Sequence, residues 1–130
     1  MTKYDELVKE AINALKKCNV PTKGPLFSCA VLTKKGNVYS SGRYFSDSYS
    51  LTLHAEQAAL AHAADHGEHE VVAMAAVGKD KRPVVPCSMC RQLIWENSRR
   101  SGIDIGIVVA DKNNQYKIIK ISKLVPYPWP

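Results

Sequence analysis

Two short motifs, His54-Ala55-Glu56 and Pro86-Cys87-Ser88-Met89-Cys90, constrain this chain more than anything else in its sequence. Each opens a stretch of helical composition and each follows a strand-like stretch. Cys87 and Cys90 are three apart, so on the first turn of a helix both thiols face one side. A single C-x-x-C or a single H-x-E says little. Both in order, with Pro directly before the first Cys, imply that two helix starts supply donors to one metal ion.

The remaining pattern supplies a scaffold for those helix starts. Leu7, Val8, Ala11, Ile12 and Leu15 recur at helical spacing and predict a helix over 5–17. Pro21, Gly24 and Pro25 make 19–25 a loop. The apolar run 26–33, turn chemistry at 34–37 and a second strand over 38–44 predict a hairpin. The polar, hydroxyl-rich stretch 45–53 reads as a loop. Ala, Leu, Gln and Glu dominate 54–66, a helix that Gly67 stops. A third strand over 71–77 leads to a loop over 78–86. A core helix over 87–98 follows, with Met89, Leu93 and Ile94 as buried positions. A fourth strand over 103–110, a turn over 111–114 and a fifth strand over 116–121 complete the pattern. Three prolines exclude a regular helix from the tail, 124–130. Strands alternating with helices predict a layered α/β sheet. The short last connection makes the final two strands antiparallel, because a parallel crossover needs about a dozen residues or more.

At 130 residues the chain suits one domain over 1–130, and a chain of this size gains from oligomerisation. Its apolar stretches are strand-length, so no membrane partner is expected. The polar start, with no apolar run of a signal peptide, makes the cytoplasm the expected location. The net charge of +6 raises a nucleic-acid partner, but lysine and arginine are spread along the chain without an aromatic-interleaved stripe, so excess surface lysine is the simpler reading. With no export signal the four cysteines stay reduced, which favours metal binding by the close pair over a disulfide.

Thiolate sulfur and imidazole nitrogen are zinc's preferred donors. His54, Cys87 and Cys90 are three, leaving the fourth tetrahedral position for water, as in catalytic zinc sites. Zinc lowers the pKa of such a water toward about 7. Helix N-termini, with unpaired N–H groups and positive dipole ends, stabilise the thiolates. Glu56 is too near His54 in sequence to be a comfortable fourth ligand and is placed to move the water's protons, which needs a carboxyl whose pKa burial raises. The competing arrangement is a closed zinc knuckle with His62, His66 or Cys29 as fourth ligand. It leaves Glu56 without a role.

H-x-E followed by P-C-x-x-C is the pattern of zinc deaminases. The stretch His54-Ala55-Glu56-Gln57-Ala58-Ala59-Leu60 resembles the first zinc motif of the cytidine deaminase family, and Pro86-Cys87-Ser88-Met89-Cys90-Arg91-Gln92 its second, including an Arg-Gln pair typical of members acting on free nucleosides. Tyr49-Ser50-Leu51-Thr52-Leu53 and Leu124-Val125-Pro126 resemble flanking segments. The resemblance implies a three-layer α/β fold, a mixed five-stranded sheet flanked by helices. It implies Zn²⁺ on His54, Cys87 and Cys90, with Glu56 catalytic. The reaction implied is hydrolytic deamination of a cytosine-type nucleoside or related aminopyrimidine. It also implies a homo-oligomer, a tetramer before a dimer. Many small members have Cys and Arg where this chain has His54 and Gln57. Two thiolates, a neutral imidazole and Zn²⁺ already sum to zero charge, so the two replacements suit one another.

The chain departs from the family where an Asn and a Glu hold the ribose hydroxyls: those positions are Arg43 and Phe45 here. Arg43 could meet a phosphate or carboxylate, or be solvated. Phe45 could stack on a ring or pack at a strand end. Phe27 lies near a ring-packing Phe of the family, Ala55 lies between His54 and Glu56, and Trp129 is a candidate pocket wall. These five are the candidate substrate contacts. Exposed positions on the helix are expected for His62 and His66, small apolar roles for Cys18 and Cys29, and a core position for Trp95. A nucleic-acid-editing deaminase and a zinc-stabilised protein without catalysis stay open beside the leading reading.

Overall fold

A computed structural model describes residues 2–19, 25–113 and 115–130 of the protein. Most of the expected loop over 19–25 and Asn114 of the expected turn therefore lie outside the described residues. Helix α1 (Lys3–Asn13) starts before the first apolar residue of its stripe because Thr2 and Asp5 cap each other. The Asp5 N–H donates to the Thr2 hydroxyl at 3.2 Å, and the Thr2 N–H donates to the Asp5 carboxylate at 2.9 Å. A 3-10 turn, Ala14–Lys17, takes the place of its expected last turn.

The strands are β1 (Phe27–Thr33), β2 (Val38–Gly42), β3 (Val71–Gly78), β4 (Pro83–Val84), β5 (Gly106–Ala110) and β6 (Tyr116–Lys120). Between them run α2 (Ala55–Asp65) and α3 (Ser88–Ser101), and the one-turn α4 (Ile121–Leu124) follows β6. The sheet thus has six strands rather than five. The extra one, β4, lies in the stretch read as a loop. It pairs Val84 with Ala76 and Pro83 with Val77 of β3. Proline is tolerated there because a strand's first residue need not donate to the ladder.

The path through the sheet is β2-β1-β3-β5-β6, with β4 beside the far end of β3. Among the six described strands only β3 and β5 pair in parallel, across the connection that contains α3; β5 and β6 are antiparallel, as their short connection requires. The alternation of strand side chains sorts the core into two layers. Ala30, Leu32, Ala73, Ala75, Val77 and Val108 face Leu7, Val8 and Ala11 of α1. Cys29, Val31, Met74, Ala76, Ile107 and Val109 face the other way, toward Ala55, Ala59 and Ala63 of α2 and Ile94 of α3. Alanine at every fourth position of α2 lets that helix lie close on the sheet.

On α3, Cys90, Ile94 and Ser98 are the buried positions. Their spacing of four defines the inner face, and Met89, one residue away and about 100° round the helix, is 55% exposed instead of buried. Trp95 is half-buried against the core. Gly102, at φ 76°, ends the helix in the left-handed conformation that glycine adopts without strain. Ile107 has no exposed surface. Ile107→Ala should therefore cost about 2–5 kcal/mol, read as a lower denaturant midpoint with unchanged m-value; a loss under about 1 kcal/mol would contradict the packing.

Glu68, between α2 and β3, is buried and gathers the hairpin. Its carboxylate accepts from the Thr33 hydroxyl at 2.6 Å, from Asn37 Nδ2 at 2.8 Å and from the Tyr39 hydroxyl. Hydrogen bonds from Thr33 and Tyr39, then Asn37, hold its pKa down at about 2. A carboxyl depressed on folding stabilises the fold above its unfolded pKa, about 4.3, and that contribution disappears as pH falls toward 2. Glu68→Gln should lower the melting temperature near neutral pH, with the gap from wild type narrowing through pH about 4 to about 2. A gap independent of pH would count against it.

Candidate active site

His54 caps the start of α2 and Cys87 that of α3. The His54 N–H donates to the Gln57 side-chain oxygen at 2.8 Å, so Gln57 fixes the backbone that carries the imidazole. Arg91 does the same for the other helix: its Nε donates to the Pro86 carbonyl at 2.8 Å, steadying the loop that leads into Cys87. His54 Nδ1 lies 3.5 Å from Cys87 Sγ and 3.3 Å from Cys90 Sγ. A tetrahedral zinc ion with bonds of about 2.3 Å to sulfur and about 2.0 Å to nitrogen separates such donors by about 3.5 Å. The donor set therefore fits zinc in both chemistry and spacing.

Among the described residues, His54, Cys87 and Cys90 are the one group whose donor atoms converge in this way, within 4.8 Å of one another. Cys29, His62 and His66 stand outside it. His62 is not exposed as expected but sits between α2 and β2, whereas His66, just past the end of α2, is exposed. His62 is half-buried, its Nδ1 3.0 Å from the Ser40 carbonyl, and both rings pack against Tyr39. Cys29 is fully buried, and Cys18 directs its thiol to the Phe27 carbonyl.

Glu56 enters α2 two residues after His54 and is 8% exposed. Burial raises its pKa; its own backbone N–H, His54 and the Cys90 thiol oppose that rise. Burial, with Glu56 and Cys87 close by, pushes the Cys90 thiol well above the ordinary thiol range. Positive charge among these groups relieves that crowding, which a divalent cation supplies.

A cavity of about 320 Å³ opens on the cluster. His54, Glu56, Cys87 and Arg43 line it together with Phe27, Val84 and Val85. The two valines belong to the segment read as a loop, and their sequence signal was only the apolar Pro-Val-Val-Pro run before Cys87. Of the five candidate substrate contacts, Phe27 and Arg43 reach the cavity. Ala55 is buried in the core beside it. Phe45 packs beneath the Arg43 guanidinium, 5.3 Å from ring centre to Cζ, and against Tyr49 at 5.9 Å. Trp129 is 77% exposed and away from the cavity lining; its carbonyl accepts from Gln92 Nε2 at 2.7 Å, which pins the C-terminal tail to α3.

Residues 1–116 match the family described as the cytidine and deoxycytidylate deaminase zinc-binding region. This chain belongs to the cytidine deaminase family. It is 36% identical over 120 residues to a cytidine deaminase of Halalkalibacterium halodurans, an alignment covering 92% of this chain and 89% of that one. It is also similar to the crystal structure of a cytidine deaminase from Burkholderia pseudomallei, with TM-score 0.84, 27% identity and coverage of 99% and 100%. The cytidine deaminase of Mycobacterium tuberculosis shares the fold at TM-score 0.83 and 22% identity, with coverage of 100% and 99%. The cytidine deaminase fold thus accounts for the three layers, and hydrolytic deamination is the enzyme class to which this family member belongs. Among the described residues, no helix is long and apolar enough to cross a membrane.

Proposed function

We propose that this cytidine deaminase family member hydrolyses the exocyclic C–N bond of a cytosine-type nucleoside or a related aminopyrimidine and releases ammonia. The observation that carries the reading is the meeting of His54, Cys87 and Cys90 at near-tetrahedral spacing in the cavity that buried Glu56 also lines. These three residues would hold zinc. When bound, the ion supplies the Lewis acidity that makes a water molecule nucleophilic near neutral pH.

Glu56 carries the proton traffic. It accepts a proton from the attacking water and delivers it to the ring nitrogen next to the amine-bearing carbon. It then passes the second proton to the departing amine, so the C–N bond breaks as a C=O bond forms. A carboxyl whose pKa burial raises is suited to both halves of that transfer. Phe27, Val84 and Val85 offer apolar walls to a flat ring, and such a cavity suits a small polar ring in a fixed orientation.

We also infer one domain, since both core layers share a single sheet, and a homo-oligomer, with a tetramer favoured. Tyr49, Leu51, Tyr127 and Trp129 are all more than two-thirds exposed, a cost that a subunit contact removes. Light scattering should return a mass of several subunits; a monomer at all concentrations would remove that inference. A reducing compartment such as the cytoplasm suits a site that needs two free thiols.

The decisive measurement is ammonia release over cytidine, deoxycytidine, cytosine, their phosphates and analogues by the zinc-loaded protein. Turnover of at least one is expected. Failure on all of them would end the deaminase reading.

A further inference from the structure

We propose that Arg43 is a specificity-determining residue that selects aminopyrimidine nucleosides carrying an anionic group, a phosphate or a carboxylate. The proposal rests on the deaminase reading above and adds to it what the substrate must carry away from the reacting ring.

Arg43 is held in place by its backbone. Its N–H donates to the Phe27 carbonyl and its carbonyl accepts from the Asn19 N–H, both at 2.9 Å. The preceding residue must be glycine: a Cβ on Gly42 would lie 2.5 Å from the Cys18 backbone nitrogen. The chain therefore passes tightly between β1 and the end of the N-terminal helical segment, and the direction in which Arg43 leaves the backbone is fixed.

The side chain is equally constrained but chemically unspent. The Phe45 ring lies against one face of the guanidinium, and Tyr49 backs that ring. Nη1 donates to the Pro25 carbonyl at 3.3 Å, a long bond. A guanidinium has five N–H groups in a rigid fork, and most of this fork has no protein acceptor among the described residues. No carboxylate pairs with it there: the ion pairs formed are Lys34–Glu70 and Arg100–Glu96.

Arg43 also lines the same cavity as His54, Glu56 and Cys87. Phe27, Val84 and Val85 make the remaining described wall apolar, so among the described residues nothing else in the lining neutralises the guanidinium. Glu56 is the one carboxylic acid among the described residues of the lining, and its carboxyl is committed to the reacting end. A positioned, partly desolvated guanidinium without an acid of its own is a receptor for an oxyanion, which it binds through two parallel N–H groups. A ligand that puts its amine-bearing carbon beside Glu56 and fills this small cavity brings its sugar substituent toward Arg43. Phe45 acts as a positioning residue: it presents the guanidinium and does not itself line the cavity.

The test compares wild type with Arg43→Gln and Arg43→Lys. Substrates are cytidine and deoxycytidine, their 5′-phosphates, and cytidine oxidised to a carboxylate at C5′. Uridine and its 5′-phosphate, titrated by calorimetry and tested as inhibitors, give a binding readout, the calorimetric one independent of turnover. Wild type should favour one anionic form over its neutral parent in kcat/KM. Arg43→Gln should reduce that ratio by about 10- to 100-fold, through KM, as loss of a charge-assisted pair does. Arg43→Lys should keep part of the ratio, and rising salt should erode it in wild type. The phosphate and carboxylate arms identify which anion is read. If wild type handles neutral and anionic forms alike, or Arg43→Gln shifts both by the same factor, Arg43 is no selector while the deaminase reading stands. If Arg43→Gln does not fold, salt-independent and equal inhibition of wild type by uridine and its phosphate overturns the proposal. If no aminopyrimidine is turned over, the deaminase reading fails and takes this proposal with it.

Discussion

Glu56→Gln is expected to lower kcat by about 10²- to 10⁴-fold, the usual span of a general acid–base contribution, while zinc stays at wild-type content. Glutamine keeps the size and the hydrogen-bonding oxygen of the side chain but cannot accept and return a proton. Glu56 is buried beside His54 and Cys90 yet is not one of the converging donors, so the metal should be indifferent to the change. Ammonia release and elemental analysis of the same preparation separate the two effects. A variant that retains turnover within about tenfold of wild type would show that another group moves the protons. Loss of zinc together with turnover would instead make Glu56 a support of the metal.

Removing one of the proposed zinc ligands should have the opposite signature. Cys87→Ala is the cleaner variant, because Cys87 is exposed and Cys90 is fully buried, so that truncating Cys90 would also leave a hole in the core. Loss of a group that only hydrogen-bonds to a ligand and orients it costs about 10- to 100-fold in metal affinity, and loss of a direct ligand should exceed about 100-fold. Cys87→Ala should therefore be isolated with little zinc and no measurable turnover. Chelation of the wild type should lower its melting temperature, since an ion bound only by the folded state at 100 times its Kd contributes about 2.7 kcal/mol. In Cys87→Ala the chelator should change little. Full zinc occupancy in that variant, or a chelator that leaves the wild-type melting curve untouched, would remove Cys87 from the ligand set.

The three residues whose donors converge, His54, Cys87 and Cys90, were readable before any fold because their chemistry is local. Cys-x-x-Cys on a first turn places two thiols on one side whatever surrounds it, and Pro86 marks the helix start. The layer structure was readable for a similar reason: β1 and β3 are near-continuous apolar runs buried on both faces, which calls for helices on each side of the sheet, and Ala55, Ala59 and Ala63 recur every four residues along α2. Met89 shows the limit of that argument. It is apolar and one residue from Cys90, and only the docking of α3 on the sheet decides that Cys90, Ile94 and Ser98 form the inner face. Strand β4 shows another limit. Two prolines mark a turn locally, but pairing with β3 is a contact between distant backbone groups that no local pattern records.

Glu68 illustrates the same division. A lone glutamate between a helix and a strand carries no signal, and its partners Thr33, Asn37 and Tyr39 come from a hairpin about thirty residues earlier. Arg43 and Phe45 were marked by the resemblance, as a departure from the family's pattern at one spot, with two uses open for each. What the sequence did not give is their placement: the guanidinium reaches the cavity and the Phe45 ring lies beneath it. Residue identity and spacing along one helix or strand are enough to name donors, caps and buried stripes, because covalent geometry sets those distances. Which donor meets which cavity, and which charge is left without a partner there, depends on segments far apart in the chain, and only the packed sheet and helices bring them together.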